Sequence, residues 1–264
     1  MPVYNWLRTI LSIFSLLSFL PQIQHIINKK SSIDISLNYI LLITISSTEQ
    51  FALGFYYIAS HNHDSDFFVS DPRNLGDWLN LLQLTVVWVM CLLLFTACLF
   101  FAPSTAPRTR VAALYASFLA ISAIPLLIDF FSPVQNPDDE RWSSAIFIGV
   151  HTMLINPLVT LGGFAALYFQ RPNAGAAALS EAGLAMQAVV FTLVAISWIE
   201  RVRFLEFDRR LGGFPVKTWY QLVGWAAVDN AVFAFVQAVL FFLRRSQKFE
   251  IGKVSGEDEP LLGH

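Results

Sequence analysis

Residues 18–42 read SFLPQIQHIINKKSSIDISLNYILL, two apolar runs with a polar turn between them. An apolar helix carries a proline and two glutamines near its end, stops at a Lys29-Lys30-Ser31-Ser32 turn, and resumes as a second apolar helix. That pattern suits a bilayer, where each spanning helix must satisfy its own backbone N–H and C=O groups. Pro21 brings no backbone donor, so a carbonyl one turn earlier loses its partner and a kink is expected there. Gln22 stands beside it with a side chain able to bond the freed group. Pro21 and Gln22 are therefore a candidate hinge.

Composition points to the same solvent. The 264 residues are 55% hydrophobic and only 14% charged, against about 25% charged in soluble domains. Mean hydropathy is +0.56. A net charge of -2 excludes a nucleic-acid partner, which needs a basic face. Cys91 and Cys98 lie on one face of an apolar run, so they read as core or lipid-facing residues, with no disulfide framework and no metal cluster. Nothing calls for a cofactor or a catalytic constellation, and the chain is not expected to be an enzyme. The first apolar run is too long for a cleavable signal and lacks a small-residue cleavage site.

A spanning helix needs about 20 largely apolar residues, and seven such runs are present. They are Tyr4 to Ile27, Ser36 to Ile58, Asp77 to Ala102, Val111 to Phe131, Ser143 to Phe169, Leu179 to Glu200 and Trp219 to Phe242, followed by a polar tail from Leu243. Lys29, Lys30, Arg108, Arg110, Arg171, Arg244 and Arg245 fall on one side and Asp64, Asp66, Asp138 and Asp139 on the other. The positive-inside rule then puts the N-terminus in a lumen and the C-terminus in the cytoplasm. The sixth loop runs against this, with Arg201, Arg203, Arg209 and Arg210 on the acidic side; its FLEF segment reads as interfacial.

The run Leu20-Pro21-Gln22, the basic turn, and the Ser36-Leu37 start of the next helix resemble the PQ-loop family. The resemblance implies an all-α membrane protein of seven transmembrane helices, built as two three-helix bundles joined by a linking helix. On this chain the first bundle is residues 1–102, the linking helix and its loops 103–142, the second bundle 143–242, and the cytoplasmic tail 243–264. A shift of 144 residues sets Ser36 and Leu37 beside Ser180 and Glu181, and Pro21 and Gln22 beside Ala165 and Ala166, so the second PQ motif is absent. Pro157, midway along the fifth span, is the candidate hinge of that half.

An ionisable group at bilayer depth costs roughly 2.5–3.5 kcal/mol on insertion scales, so it marks function by default. Glu49 in ITISSTEQFAL and Asp229 in GWAAVDNAVFAFVQ are such groups and the candidate proton carriers. Asn230 and Gln237, seven apart on one helix face, are candidate substrate contacts. Asp229 resembles the proton-binding aspartate of the last helix in PQ-loop exporters, and Asn230 the substrate-binding asparagine of SWEET-like members. His151 and Asn156 on the fifth span, and Asn80 and Gln83 at the start of the third, complete the set. The alternative is structural: a hydrogen-bonded carboxyl, helix–helix amide bonds, interfacial anchoring. HNHD at His61–Asp64 reads as a solvated loop.

The tail sequence EDEPLL fits an acidic dileucine sorting signal, with Glu257, Leu261 and Leu262 as the residues a cytosolic adaptor would read. Together with the resemblance it implies a membrane of the vacuole, lysosome, endosome or Golgi. Two function classes follow. One is a secondary transporter exporting a small polar solute, an amino acid above all, from an acidic lumen together with a proton. The other is a lipid scramblase, or a trafficking receptor similar to the KDEL receptor. A receptor wants arginines at mid-depth, which the spans lack, and a scramblase wants a polar track open to lipid.

Overall fold

The first helix, α1 (Asn5–Lys29), stays helical on both sides of Pro21 and ends on Lys30, whose φ of 50° places it in the left-handed region. Lys30 N–H donates to Ile27 O, closing the helix one residue before the chain reverses. Ser32 then pins the turn to the end of α3 (Leu75–Phe100): its hydroxyl donates to Cys98 O at 2.9 Å and its N–H to Phe101 O at 3.2 Å. The basic turn after the proline is thus a fixed corner.

These observations come from a computed structural model that describes residues 3–59, 68–70, 72–131, 146–170, 179–201 and 216–257. Among the described residues there are helices and no strand. After α1 come α2 (Leu37–Ala59), α3, α4 (Arg108–Ser122) and α5 (Ile124–Phe131). Then α6 (Ile146–Phe169) contains a π-helical turn at His151–Ile155, and α7 is Glu181–Arg201. Finally α8 runs from Val216–Trp219 through a second π-helical turn, Tyr220–Gly224, into Trp225–Glu257.

Among the described residues six helices are long and apolar enough to cross a membrane: α1, α3, Arg108–Leu126, α6, α7 and Val216–Gln247. The expected second span, α2, has 23 residues but falls short in apolarity because of its Ser46-Ser47-Thr48-Glu49-Gln50 run. Four of those five side chains, Ser47 to Gln50, are buried, so α2 hides its polar face among its neighbours. Exposed Ile13, Leu158, Leu161, Val189 and Leu193 give the outside of α1, α6 and α7 the apolar surface that lipid requires.

Two expectations need correcting. The fourth span is interrupted at Ala123 between α4 and α5; Pro125 cannot donate back into α4, but it fits the first turn of a new helix. The polar tail expected from Leu243 begins as helix, because α8 continues to Glu257 through SQKFEIGKV, a stretch without proline. His61–Asp64, Leu261 and Leu262 lie outside the described residues.

The core is set by which helices touch. α2 packs on α3, α4 and α6; α1 packs on α3 and α7; α8 packs on α7 and α6. Tyr115 of α4 is tied to α2 by a 3.0 Å hydroxyl–hydroxyl bond with Thr48, to which Trp88 of α3 also donates at 3.1 Å. Cys91 and Cys98 are buried free thiols.

Candidate functional site: a buried polar centre between α2, α6 and α8

The π-helical turns re-aim side chains of α6 and α8 toward one another. Inserting one residue per turn lengthens the backbone bond from i→i+4 to i→i+5, seen here as Asn156 N–H to His151 O and Trp225 N–H to Tyr220 O. Pro157 follows the first of these turns at once, where its missing donor is least disruptive. Gly224 closes the second: a Cβ there would run into the Trp219 ring.

Between the two turns lies a chain of polar contacts. Asn156 Nδ2 donates to Tyr220 Oη at 3.0 Å, Tyr220 Oη and Thr160 Oγ1 are 2.6 Å apart, and Thr160 Oγ1 donates to Asp229 Oδ1. Asp229 is 2% exposed, and its Oδ2 has no hydrogen-bond partner. The carboxylate lines a small pocket with Ser46, Thr160, Gly163 and Phe233. Gly163 is needed for width, because a Cβ there would press on Val232. A second carboxyl sits nearby on α2. His151 Nδ1 lies 2.8 Å from Oε1 and 3.0 Å from Oε2 of Glu49, which is 0% exposed, and the imidazole stacks on Phe147 with centroids 4.0 Å apart.

The structure divides the expected site residues into three groups. Asp229 and Asn156 join the pocket network, with Glu49 and His151 beside it. Asn230 and Gln237 are held by α2: Asn230 Nδ2 donates to Gln50 Oε1 at 3.0 Å, and Gln237 Nε2 donates to Tyr39 Oη at 3.0 Å. Asn80 and Gln83 lie elsewhere, bound to Arg8 and Arg201 at the end of the bundle where α1 and α3 begin. Thr160, which lines the pocket, and Tyr220, which bonds to it, are the residues of the network that sequence reasoning missed. Thr160, one turn after Asn156 in NPLVT, carried a weak signal; Tyr220, the first residue of the second π-helical turn, carried none.

Gln22 makes a bond the sequence did not suggest. Its Oε1 accepts from Ser180 N–H, just before α7, at 2.6 Å. In the other direction Gln170, at the end of α6, accepts from Ser36 N–H, just before α2, at 2.9 Å, and donates to Asp34 O at 3.0 Å. Each glutamine is buried and caps a helix of the other half of the chain. A Gln170→Leu replacement strands the half-buried Ser36 N–H, a cost of about 1 kcal/mol or more. The expected result is a lowered melting temperature in detergent, matched by Gln22→Leu; a silent Gln170→Leu would refute the equivalence.

Comparison with known proteins places a match on the opening stretch: residues 3–59 fit the family model described as PQ loop repeat. No curated protein and no solved structure matches the chain.

Proposed function

We propose that this chain, which carries a PQ-loop repeat at residues 3–59 and several helices long and apolar enough to cross a membrane, is a proton-coupled secondary transporter of the PQ-loop family, not an enzyme. Its cargo is a small polar solute, an amino acid above all, exported from an acidic lumen to the cytosol. The observation that carries this reading is Asp229: a buried carboxylate with one oxygen held by Thr160 and the other free, facing a small pocket between helices of both halves of the chain. Such a group can hand a proton to whichever side the pocket opens toward.

Two three-helix units, α1–α3 and α6–α8, form the transporter, with α4 and α5 as the connection. The packing pattern supports this: under the exchange of α1 with α6, α2 with α7 and α3 with α8, the α1–α7 contact becomes the α6–α2 contact. The Gln22–Ser180 and Gln170–Ser36 bonds exchange in the same way, and Ser36 and Ser180 are the pair aligned by the 144-residue shift. Burial of Glu49 and Asp229 favours a closed central path over the lipid-facing track of a scramblase.

Uptake of radiolabelled amino acids into proteoliposomes, with and without an imposed pH gradient, tests the reading. Uptake that ignores the gradient for every solute tried would remove the coupling. Pro21→Ala restores a backbone donor, and the expected outcome is slower transport with unchanged yield of folded protein. Equal rates would leave Pro21 a structural residue. The proposed vacuolar or lysosomal address is tested by Leu261→Ala with Leu262→Ala, which should move the protein to the cell surface. A double variant that still reaches the organelle removes the sorting claim.

A further inference from the structure

Arg8, in the first turns of α1, and Arg201, the last residue of α7, meet at the end of the bundle opposite the Lys29-Lys30 turn. The sequence reading passed over the first and assigned the second to a loop. Both are buried, each 8% exposed. Their hydrogen-bond partners are neutral amides. Arg8 Nη1 donates to Asn80 Oδ1 at 3.2 Å; Arg201 Nη1 donates to the same oxygen at 3.1 Å and to Gln83 Oε1 at 2.5 Å. Two cations therefore share one acceptor, an arrangement that Coulomb repulsion opposes. Asp77, the carboxylate acting on Arg8, has its Oδ2 engaged in capping α3 through Asn74 N–H at 2.9 Å and Ser70 N–H at 3.2 Å.

What remains unpartnered has a specific shape. Arg201 Nε and Nη2 make no hydrogen bond, and neither does Arg8 Nε. In a guanidinium the Nε–H and Nη2–H bonds run parallel along one edge, a fork that matches the two oxygens of a carboxylate. Arg201 thus has its Nη1 tied down and its bidentate edge buried without a partner. Trp198 holds the plane from below, its ring 4.8 Å from Cζ. Gly76 leaves room on the other arginine, since a Cβ there would strike the Arg8 guanidinium. Beneath the pair, Phe68 stacks between Trp198 and Trp225, and Trp225 is one turn before Asp229 on α8.

We propose that Arg8 and Arg201, fixed by Asn80 and Gln83, form an anion site that takes the carboxylate of a small organic solute at the Arg8 end of the bundle, before the solute reaches Asp229. Assigning that carboxylate to the transported solute rests on the transporter reading; the site itself does not. It narrows the cargo to solutes with a free carboxylate, and neutral solutes are passed over. With the N-terminus lumenal, capture occurs from the lumen.

The test is equilibrium binding to the full chain in detergent, with acetate, its neutral analogue acetamide, and inorganic phosphate as probes. Tryptophan fluorescence reports on Trp198 and thermal melting on stability. Acetate is expected to saturate both signals while acetamide leaves them unchanged. Arg201→Lys keeps a cation but cannot fork, so acetate binding should weaken about tenfold or more, and exposed Arg110→Gln should not alter it. Equal responses to acetate and acetamide, or full affinity in Arg201→Lys, overturn the site. Phosphate binding without acetate binding overturns the carboxylate assignment. Should Arg201→Lys fail to fold, the acetate and acetamide comparison on the unaltered protein still decides. Because neither membrane nor gradient is involved, acetate binding by a protein that moves no solute sinks the transporter reading alone. Transport of neutral solutes by a protein that ignores acetate sinks the site alone.

Discussion

Asp229→Asn is expected to leave solute free to move down its own gradient and to abolish accumulation driven by a pH gradient. One pH unit supplies about 1.4 kcal/mol per proton, so a transporter coupled to one proton concentrates its solute about tenfold for each unit imposed. The asparagine variant should show no concentration above equilibrium. The substitution suits the geometry: an amide oxygen can still accept from Thr160 Oγ1, and the side chain has the same length in a pocket bounded by Gly163 and Phe233. What it removes is exchange of a proton at Oδ2, the atom without a partner. Solute flux and solute-driven proton flux measured in the same vesicles check this. Glu49→Gln should diminish coupling less, since Glu49 is engaged by His151. Solute-driven proton flux that persists in Asp229→Asn would take the role from Asp229 and pass it to Glu49.

The helices were legible because long apolar runs between Pro- and Gly-rich turns have few other readings. The expected first span, Tyr4 to Ile27, became Asn5–Lys29, and the expected third, Asp77 to Ala102, became Leu75–Phe100. The break at Ala123 needed only closer attention to Pro125. Asp229 and Glu49 were legible as cost: a carboxyl in an apolar run stands out by itself. Their surroundings were not, because partners came from other helices. Glu49 on α2 meets His151, the first residue of the π-helical turn of α6, and Arg201, one residue past the apolar run, joins Arg8 through the shared Asn80. Periodicity within one helix carries no record of either.

The missing second PQ motif shows the same limit from another side. An alignment at 144 residues sets Gln22 beside Ala166 and leaves the glutamine without a counterpart. In space Gln170 performs its task from one turn further along α6, bonding Ser36 as Gln22 bonds Ser180. A side chain at i+4 on a helix projects from the same face. A capping bond across the interface therefore survives a displacement of one turn that a residue-by-residue comparison scores as a loss.

Breaking the Glu49–His151 pair from one side should cost more than removing both partners. His151→Phe keeps the stack on Phe147 but leaves a carboxyl on α2 that is 0% exposed and has lost its bond. Removing one partner of a buried hydrogen bond typically costs about 1–3 kcal/mol, more where the group left behind is charged, because it stays desolvated without compensation. Adding Glu49→Met replaces that carboxyl with an apolar chain of similar length, and the double variant should recover to within about 1–2 kcal/mol of the parent. Melting of the single and double variants in detergent gives the coupling directly. Additive losses would mean that the 2.8 Å contact contributes nothing, and that Glu49 owes its stability to some other group. Recovery would carry a functional corollary: the double variant folds with one titrating carboxyl at its centre, so any pH-driven accumulation it retains belongs to Asp229.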